Sequence, residues 1–387
     1  MIMGKRVYFI HNSYTWYREP FFIELSRICD IKFFFTKLWK NGYSEIKYDC
    51  CKITDLDYEI VNNTFHVAWP VFGHLLKDEY DTVLITVMDN WHQTFEAFVS
   101  AMIAKMRGKR VVYFWEKWDK GWLYCEKRNW KTRKVSFFRY LWRIRRFYVK
   151  RLELHLLRHL VDCFIPVGTY SKEYILHCGV NEKDISVAHD ASEISYEAVK
   201  TREQIGMSQD RIVVLFMARV IKLKGCDSLL EAWYKVEKRH SNVDLFICGD
   251  GTYMQTMNEK SRQMNLKHII YTGSIAPENR KDYYANCDIF VLPNWEPDIW
   301  GMAVNEAMQF GKPVIVSNLT GCGPDLVKEG ENGFIIESGD SQQLYKALEQ
   351  LILEDSFRRN AGKRSKEIIQ EYTYKNMAAD FKRALEG

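Results

Sequence analysis

Short apolar runs alternate with stretches of helical periodicity along most of the chain. In the first half, residues 6–10, 31–36, 82–87, 109–115, 161–167 and 185–189 are β-branched, aromatic or continuously apolar, and predict strands. Helical spacing over 19–28, 95–106 and 171–178 separates several of them, with Pro20 at the first helix start and Gly108 as a helix stop. Residues 41–70 carry short apolar runs and turn residues without a clear order. In the second half, 211–218, 243–248, 269–273, 288–292, 313–317 and 331–336 predict strands. Helices are expected at 226–238, 277–286, 302–310, 341–354 and 356–386. Strand and helix in turn predict an α/β chain with parallel sheets. Between the halves, 190–210 loses apolar periodicity and collects charge, which predicts a linker. The expected domains are therefore 1–200 and 201–370.

Length and composition fit this picture. A chain of 387 residues exceeds one ordinary core, so two domains are expected. Its 47% hydrophobic and 27% charged residues are those of a globular protein in water. No apolar run approaches bilayer length, and 7–10 is too short for a signal-peptide core. The ten cysteines include no Cys-x-x-Cys pair and no zinc spacing, so buried free thiols in a reducing cytoplasm are expected, with no metal site.

Charge changes the picture in one place. Residues 117–158 hold 14 Lys+Arg against 3 Asp+Glu, leaving 41 against 47 elsewhere. Within this basic and aromatic segment, Phe137, Leu141, Ile144 and Tyr148 fall on one helical face, opposite Arg139, Arg143, Arg146 and Lys150. Such a helix suits either a core contact with a solvated outer face, or an anionic membrane surface on the inner side of the membrane met through 121–158. No nucleic-acid motif accompanies it, so nucleic acid is not an expected partner.

The candidate chemistry lies in the loops that follow strands. After 288–292 the chain reads Pro-Asn-Trp-Glu-Pro-Asp-Ile-Trp-Gly and then enters the 302–310 helix. A strand, loop and helix in this order aim backbone N–H groups and a positive helix end at an anion. Asp298 lies in that loop, and Glu306 follows seven intervening residues later, two turns away down the helix. Two carboxylates at a helix mouth repel a bare phosphate but suit a ligand with hydroxyls beside its phosphates, such as a nucleotide sugar. Arg219 and Lys224, just past the 211–218 strand and before a helix, offer cations to a diphosphate. Glu116 ends the 109–115 strand, where it either orients or deprotonates an acceptor hydroxyl, or is a solvated acid opposite Lys117 and Lys120. His92, after Asp89 and Asn90, is a weaker candidate of the same kind.

The acid pair with its Trp-Gly, its Asn and its Glu-Ala-Met resembles the signature of retaining glycosyltransferases with the GT-B fold. These form the large glycogen-synthase-like family (glycosyltransferase family 4, or glycosyl transferases group 1). The resemblance is close over about 211–340. It implies two Rossmann-like domains with parallel sheets facing across a cleft, and a final helix, 371–387, packed back on the N-terminal domain. It implies a metal-independent retaining hexosyltransferase that moves sugar from UDP-sugar or GDP-sugar to a glycan or lipid-linked acceptor in surface polysaccharide, lipopolysaccharide or capsule assembly, with no resident cofactor. By resemblance Arg219 and Lys224 hold the diphosphate, Glu306 the ribose and Asp298 the donor sugar, with Glu296 the alternative for Asp298. Gly249, Gly251, Gly273 and Ser274 shape the nucleotide cleft, and Trp300, Gly301, Met302 and Ala303 form the helix mouth. The sequence departs from the family at Asp298, in place of Glu, at Ala218, in place of Gly, and in lacking the N-terminal glycine pair, though 17–22 (Tyr-Arg-Glu-Pro-Phe-Phe) is similar to one subgroup. A GT-B nucleotide-sugar epimerase or phosphorylase, and a non-catalytic membrane-surface binder on a decayed transferase fold, are the competing readings.

Overall fold

The computed structural model describes residues 5–12, 14–15, 17–35, 56–61, 69–77, 79–86, 91–118, 148 and 151–387. The proposed membrane-facing helix lies outside the described residues except at Tyr148, as do Lys120, Asp89, Asn90, the side chain of His92 and most of 41–70. The chain divides into two compact units, Met1–Ala191 with Tyr374–Gly387, and Ser192–Thr373.

In the first unit, β1 (Arg6–His11), β2 (Asp30–Phe35), β3 (Tyr58–Ile60), β4 (Thr82–Thr86), β5 (Arg110–Trp115) and β6 (Cys163–Pro166) form a sheet in the order β3-β2-β1-β4-β5-β6. All its pairings are parallel, with Phe9 opposite Phe33 and Ile85 opposite Tyr113. Parallel strands are covered on both faces, which is why they read as continuous apolar runs. The Glu19–Ile28 helix, started by Pro20, buries Phe21, Phe22 and Leu25. The helix Tyr374–Glu386 belongs to this unit too: Phe381 meets Phe21 and Phe114, each with ring centroids 4.8 Å apart. Arg110 Nη2 ties it down by donating to the Ala384 carbonyl at 3.0 Å.

The second unit repeats the plan. Its strands are β7 (Ile212–Met217), β8 (Val243–Cys248), β9 (Ile269–Gly273), β10 (Ile289–Leu292), β11 (Val314–Ser317) and β12 (Gly333–Ile336), in the order β12-β11-β10-β7-β8-β9 and all parallel. Counted from each unit's first strand, both sheets have the same doubly wound order. The strand order therefore reverses between β1 and β4, and again between β7 and β10, the points where such sheets open a crevice at their carboxyl ends.

Three expectations change. Residues 185–189 form only isolated bridges, Phe164 with Ile185 and Val167 with Ala188. The expected helix over 356–386 is two, Asp355–Ile369 and Tyr374–Glu386, because the chain passes from the second unit to the first between them. The linker begins the second unit at Ser192 rather than ending the first at 200. Its Ile194 N–H donates to Gln309 Oε1 at 3.0 Å, and the Tyr196 hydroxyl to the Gln309 carbonyl at 2.9 Å. Those bonds fasten it to the helix Met302–Gln309.

Candidate functional site

The loops at the carboxyl ends of β7 and β10 are stitched into one surface. After β7, Arg219 is exposed and Lys224 half-buried, the latter ending a tight turn at Lys222–Lys224. The Leu223 carbonyl of that turn accepts from Trp295 N–H at 2.8 Å and Glu296 N–H at 3.2 Å. Gly225 lets the two loops touch. It has φ +77° and caps the helix Cys226–Arg239, and a Cβ on it would lie 1.9 Å from the Pro293 carbonyl oxygen.

This contact brings Lys224 Nζ into an ion pair with Asp298 Oδ2, with side-chain exposures of 17% and 24%. Asp298 is held from the other side too. Its N–H donates to the Leu319 carbonyl at 2.9 Å, its carbonyl accepts from Gly321 N–H at 3.1 Å, and Asn294 Nδ2 donates to Oδ2 at 3.3 Å. Asp298 and a cation expected at the diphosphate thus share one spot. Glu296 is half-buried two residues earlier.

Gly301, at φ +102°, caps the helix Met302–Gln309 and is buried, whereas Met302 and Ala303 are half-buried at its mouth. A Cβ on Gly301 would lie 2.8 Å from Thr320 Cγ2, so only glycine admits this approach. The first N–H groups of any helix lack intrahelical partners, which makes the mouth a donor to anions. Trp300 is not at the surface of that mouth. It is 2% exposed, and its Nε1–H donates to Asn305 Oδ1 at 2.7 Å. Its indole packs into the core, so of Trp300 only the backbone borders the mouth.

Glu306 is likewise turned inward, a little over one turn into the helix, and is 2% exposed. Its Oε1 accepts from the Ser192 hydroxyl at 2.9 Å and from Arg280 Nη1 at 3.0 Å. Its Oε2 accepts from the Tyr284 hydroxyl at 2.8 Å and from the same Arg280 nitrogen at 3.2 Å. Burial, then the Glu306 charge, push the Tyr284 hydroxyl well above its ordinary range, so it stays a donor. The carboxylate is spent on interior partners, and a ribose would reach it only in exchange for one of them. Ser192, Arg280 and Tyr284 escaped the sequence reading because 114, 26 and 22 positions separate them from Glu306, and no spacing rule spans that.

Gly249, Gly251, Gly273 and Ser274 lie along the same carboxyl edge, after β8 and at the end of β9. Gly249 N–H donates to the Gly273 carbonyl at 2.8 Å, and Val220 N–H to the Asp250 carbonyl at 2.9 Å, which joins these turns to the Arg219 loop. Glu116 lies elsewhere, in the first unit after β5, where it pairs with Arg18. Among the described residues no group of three His, Cys, Asp or Glu could hold a metal ion, and no helix is long and apolar enough to cross a membrane.

Comparison with known proteins places this geometry. Residues 198–368 match the model of the family "Glycosyl transferases group 1". An uncharacterized glycosyltransferase of Methanocaldococcus jannaschii is 22% identical over 371 residues, covering 92% of this chain and 90% of that one. A GDP-mannose-dependent phosphatidylinositol monomannoside mannosyltransferase of Mycolicibacterium smegmatis is 26% identical over 160 residues, 40% of this chain and 41% of its own. Another M. jannaschii relative, 26% identical over 56% of this chain, is matched over 55% of its length, so the chain spans only about half the length of some relatives. The crystal structure of Anabaena HepE in complex with UDP superposes with a TM-score of 0.74 at 16% identity, covering 99% of both chains. That of WaaG, a glycosyltransferase involved in lipopolysaccharide biosynthesis, gives 0.66 at 15% identity, covering 98% of this chain and all of the other. With both sheets in the doubly wound order, the chain has the GT-B fold, and its residues 198–368 are similar to the glycosyl transferases group 1 family.

Proposed function

We propose that this chain is a retaining, metal-independent hexosyltransferase. It moves a sugar from UDP-sugar or GDP-sugar to a glycan or lipid-linked acceptor in surface-polysaccharide assembly, with no resident cofactor. The observation that carries the reading is the Lys224–Asp298 pair at the β7–β10 reversal, beside the helix mouth at Gly301. A partly exposed ion pair is a latent site for a ligand that carries both a phosphate and a hydroxyl. The phosphate takes the lysine, and the hydroxyl donates to the aspartate.

In the reaction, the bond from the anomeric carbon to the diphosphate oxygen breaks as the acceptor oxygen bonds to that carbon on the same face. The acceptor's proton passes to the leaving diphosphate, and negative charge grows on that phosphate as the bond breaks. Arg219, Lys224 and the N–H groups of Met302 and Ala303 stabilise that charge, as preorganised donors do. Asp298 orients a hydroxyl of the donor sugar. Glu306 anchors Arg280 and Tyr284 beneath the mouth, and meets the ribose by exchange with the Ser192 hydroxyl. Relatives support the substrate class: HepE was crystallised with UDP and with UDP-glucose, and one matched relative is described as a capsular polysaccharide biosynthesis glycosyltransferase. The basic stretch 121–158 is the part that would meet an anionic membrane and a lipid-linked acceptor.

The test is a thermal-shift and hydrolysis screen over UDP, GDP and ADP with their sugars, followed by NMR of the product anomer. Stabilisation by one nucleotide family, slow release of its sugar and a retained anomeric configuration are expected. No response to any of them contradicts the proposal, and an inverted product contradicts its retaining part.

A further inference from the structure

Three charged side chains converge at the carboxyl edge of the first unit's sheet, and the scheme above gives them no work. Arg18 precedes the Glu19–Ile28 helix that follows β1, Glu116 follows β5, and Asp190 lies two residues past the Val167–Ala188 bridge. Arg18 closes its fork on Asp190, with Nη1 donating to Oδ1 at 2.8 Å and Nη2 to Oδ2 at 3.1 Å. The same Nη2 donates to Glu116 Oε1. The guanidinium carbon also lies 5.9 Å from the ring centroids of Tyr17 and Phe114. Side-chain exposure rises outward, from 3% at Asp190 through 8% at Arg18 to 16% at Glu116.

A buried arginine needs one carboxylate, and the fork on Asp190 supplies it. The second carboxylate reaches the same guanidinium from the less buried side. It is also the outermost of the three, at the strand ends where α/β sheets take ligands. A carboxylate already engaged by a guanidinium is a weak base but a fixed, strong acceptor of hydrogen bonds.

We propose that Glu116 anchors the glycan acceptor by accepting a hydrogen bond from one of its hydroxyls, with Arg18 and Asp190 as positioning residues that fix the carboxylate. The proposal rests on the transferase reading and adds the acceptor's contact to it. No proton leaves the acceptor to Glu116. The sequence reading left orientation and deprotonation open, and the Arg18 contact favours orientation.

The experiment measures transfer from UDP-glucose and GDP-mannose to a panel of p-nitrophenyl hexosides, alongside donor hydrolysis without acceptor. It compares the wild type with Glu116→Gln, Arg18→Lys and Asp190→Asn. Glu116→Gln is expected to raise acceptor KM about tenfold or more, the worth of a hydrogen bond to a charged group, and to leave kcat and donor hydrolysis within about threefold. Arg18→Lys should show the same split in weaker form, because lysine keeps the charge and loses the fork. Asp190→Asn tests the buried end, and a raised acceptor KM with unchanged hydrolysis supports positioning. A hundredfold loss of kcat at constant KM in Glu116→Gln would make Glu116 a base and overturn the proposal. Unchanged acceptor KM in all three variants would make the trio structural and overturn it equally. Hydrolysis by the wild type without transfer to any hexoside overturns the acceptor assignment alone, whereas no donor turnover overturns the transferase reading beneath it.

Discussion

Lys224 Nζ is ion-paired with Asp298 Oδ2 across the reversal of strand order in the second unit, 74 residues apart in sequence. The two reach each other because the Leu223 carbonyl holds the loop that carries Asp298, and because Gly225 lets Pro293 lie against the turn. A partly exposed pair of this kind contributes at most about 1 kcal/mol to stability. Lys224→Ala should therefore leave the melting temperature nearly unchanged and lower kcat on the order of 10²-fold. A parallel melt and steady-state assay checks it, and a large loss of stability would recast the pair as structural.

The carboxylate of Glu306 presents the opposite balance. It is buried with three donor groups, so removing it leaves Arg280 facing an interior gap. Glu306→Ala should lose about 3 kcal/mol or more, while Tyr284→Phe, which deletes one hydrogen bond to a charged acceptor, should lose about 1.5–3 kcal/mol. Urea unfolding with an unchanged slope is the measurement. Equal stability of both variants and wild type would show that the network does not form.

Gly225 is a backbone requirement. An alanine there would hold φ near +77° and place its Cβ on the Pro293 carbonyl oxygen. The expected cost of Gly225→Ala is about 2 kcal/mol or more. Activity should fall further than stability alone explains, because the displaced loop carries Asp298. Full activity in a stably folded variant would refute the close approach.

The thiols give a pH prediction. Burial pushes Cys226, Cys248 and Cys287 each up to about 12, from an ordinary 9.0. The unfolded chain loses these protons first, so the stability they lend is full below about pH 9 and falls as pH rises towards 12. The slope is roughly 1.4 kcal/mol per pH unit for each thiol. Melting between pH 8 and 10.5 should drop steeply, and more gently in Cys248→Ala. Native protein at pH 8 should also react with Ellman's reagent at none of these three.

The chain displayed its fold plainly where burial on both faces makes a strand continuously apolar. The runs 212–217, 243–248 and 289–292 are of this kind, each lying within a residue of its expected bounds. Residues 185–189 misled for the same reason: they are apolar, yet they make only two bridges. Spacing placed Asp298, Gly301 and Lys224 at one edge, because each follows a strand end. It could not show that Trp300 and Glu306 turn inward, since the rotation of a short helix is set by packing. Nor could it find Arg18 with Asp190, 172 residues apart, whose pairing exists only once β1 and β6 lie in one sheet.

The central claim is that Arg219 and Lys224 receive a nucleoside diphosphate beside the Gly301 helix mouth. Calorimetric titration of the wild type, Arg219→Ala and Lys224→Ala with UDP and with GDP tests it most directly. The account predicts binding of one nucleotide by the wild type and at least a tenfold weaker affinity in each variant, with the fold intact. Equal affinity in all three proteins would contradict it.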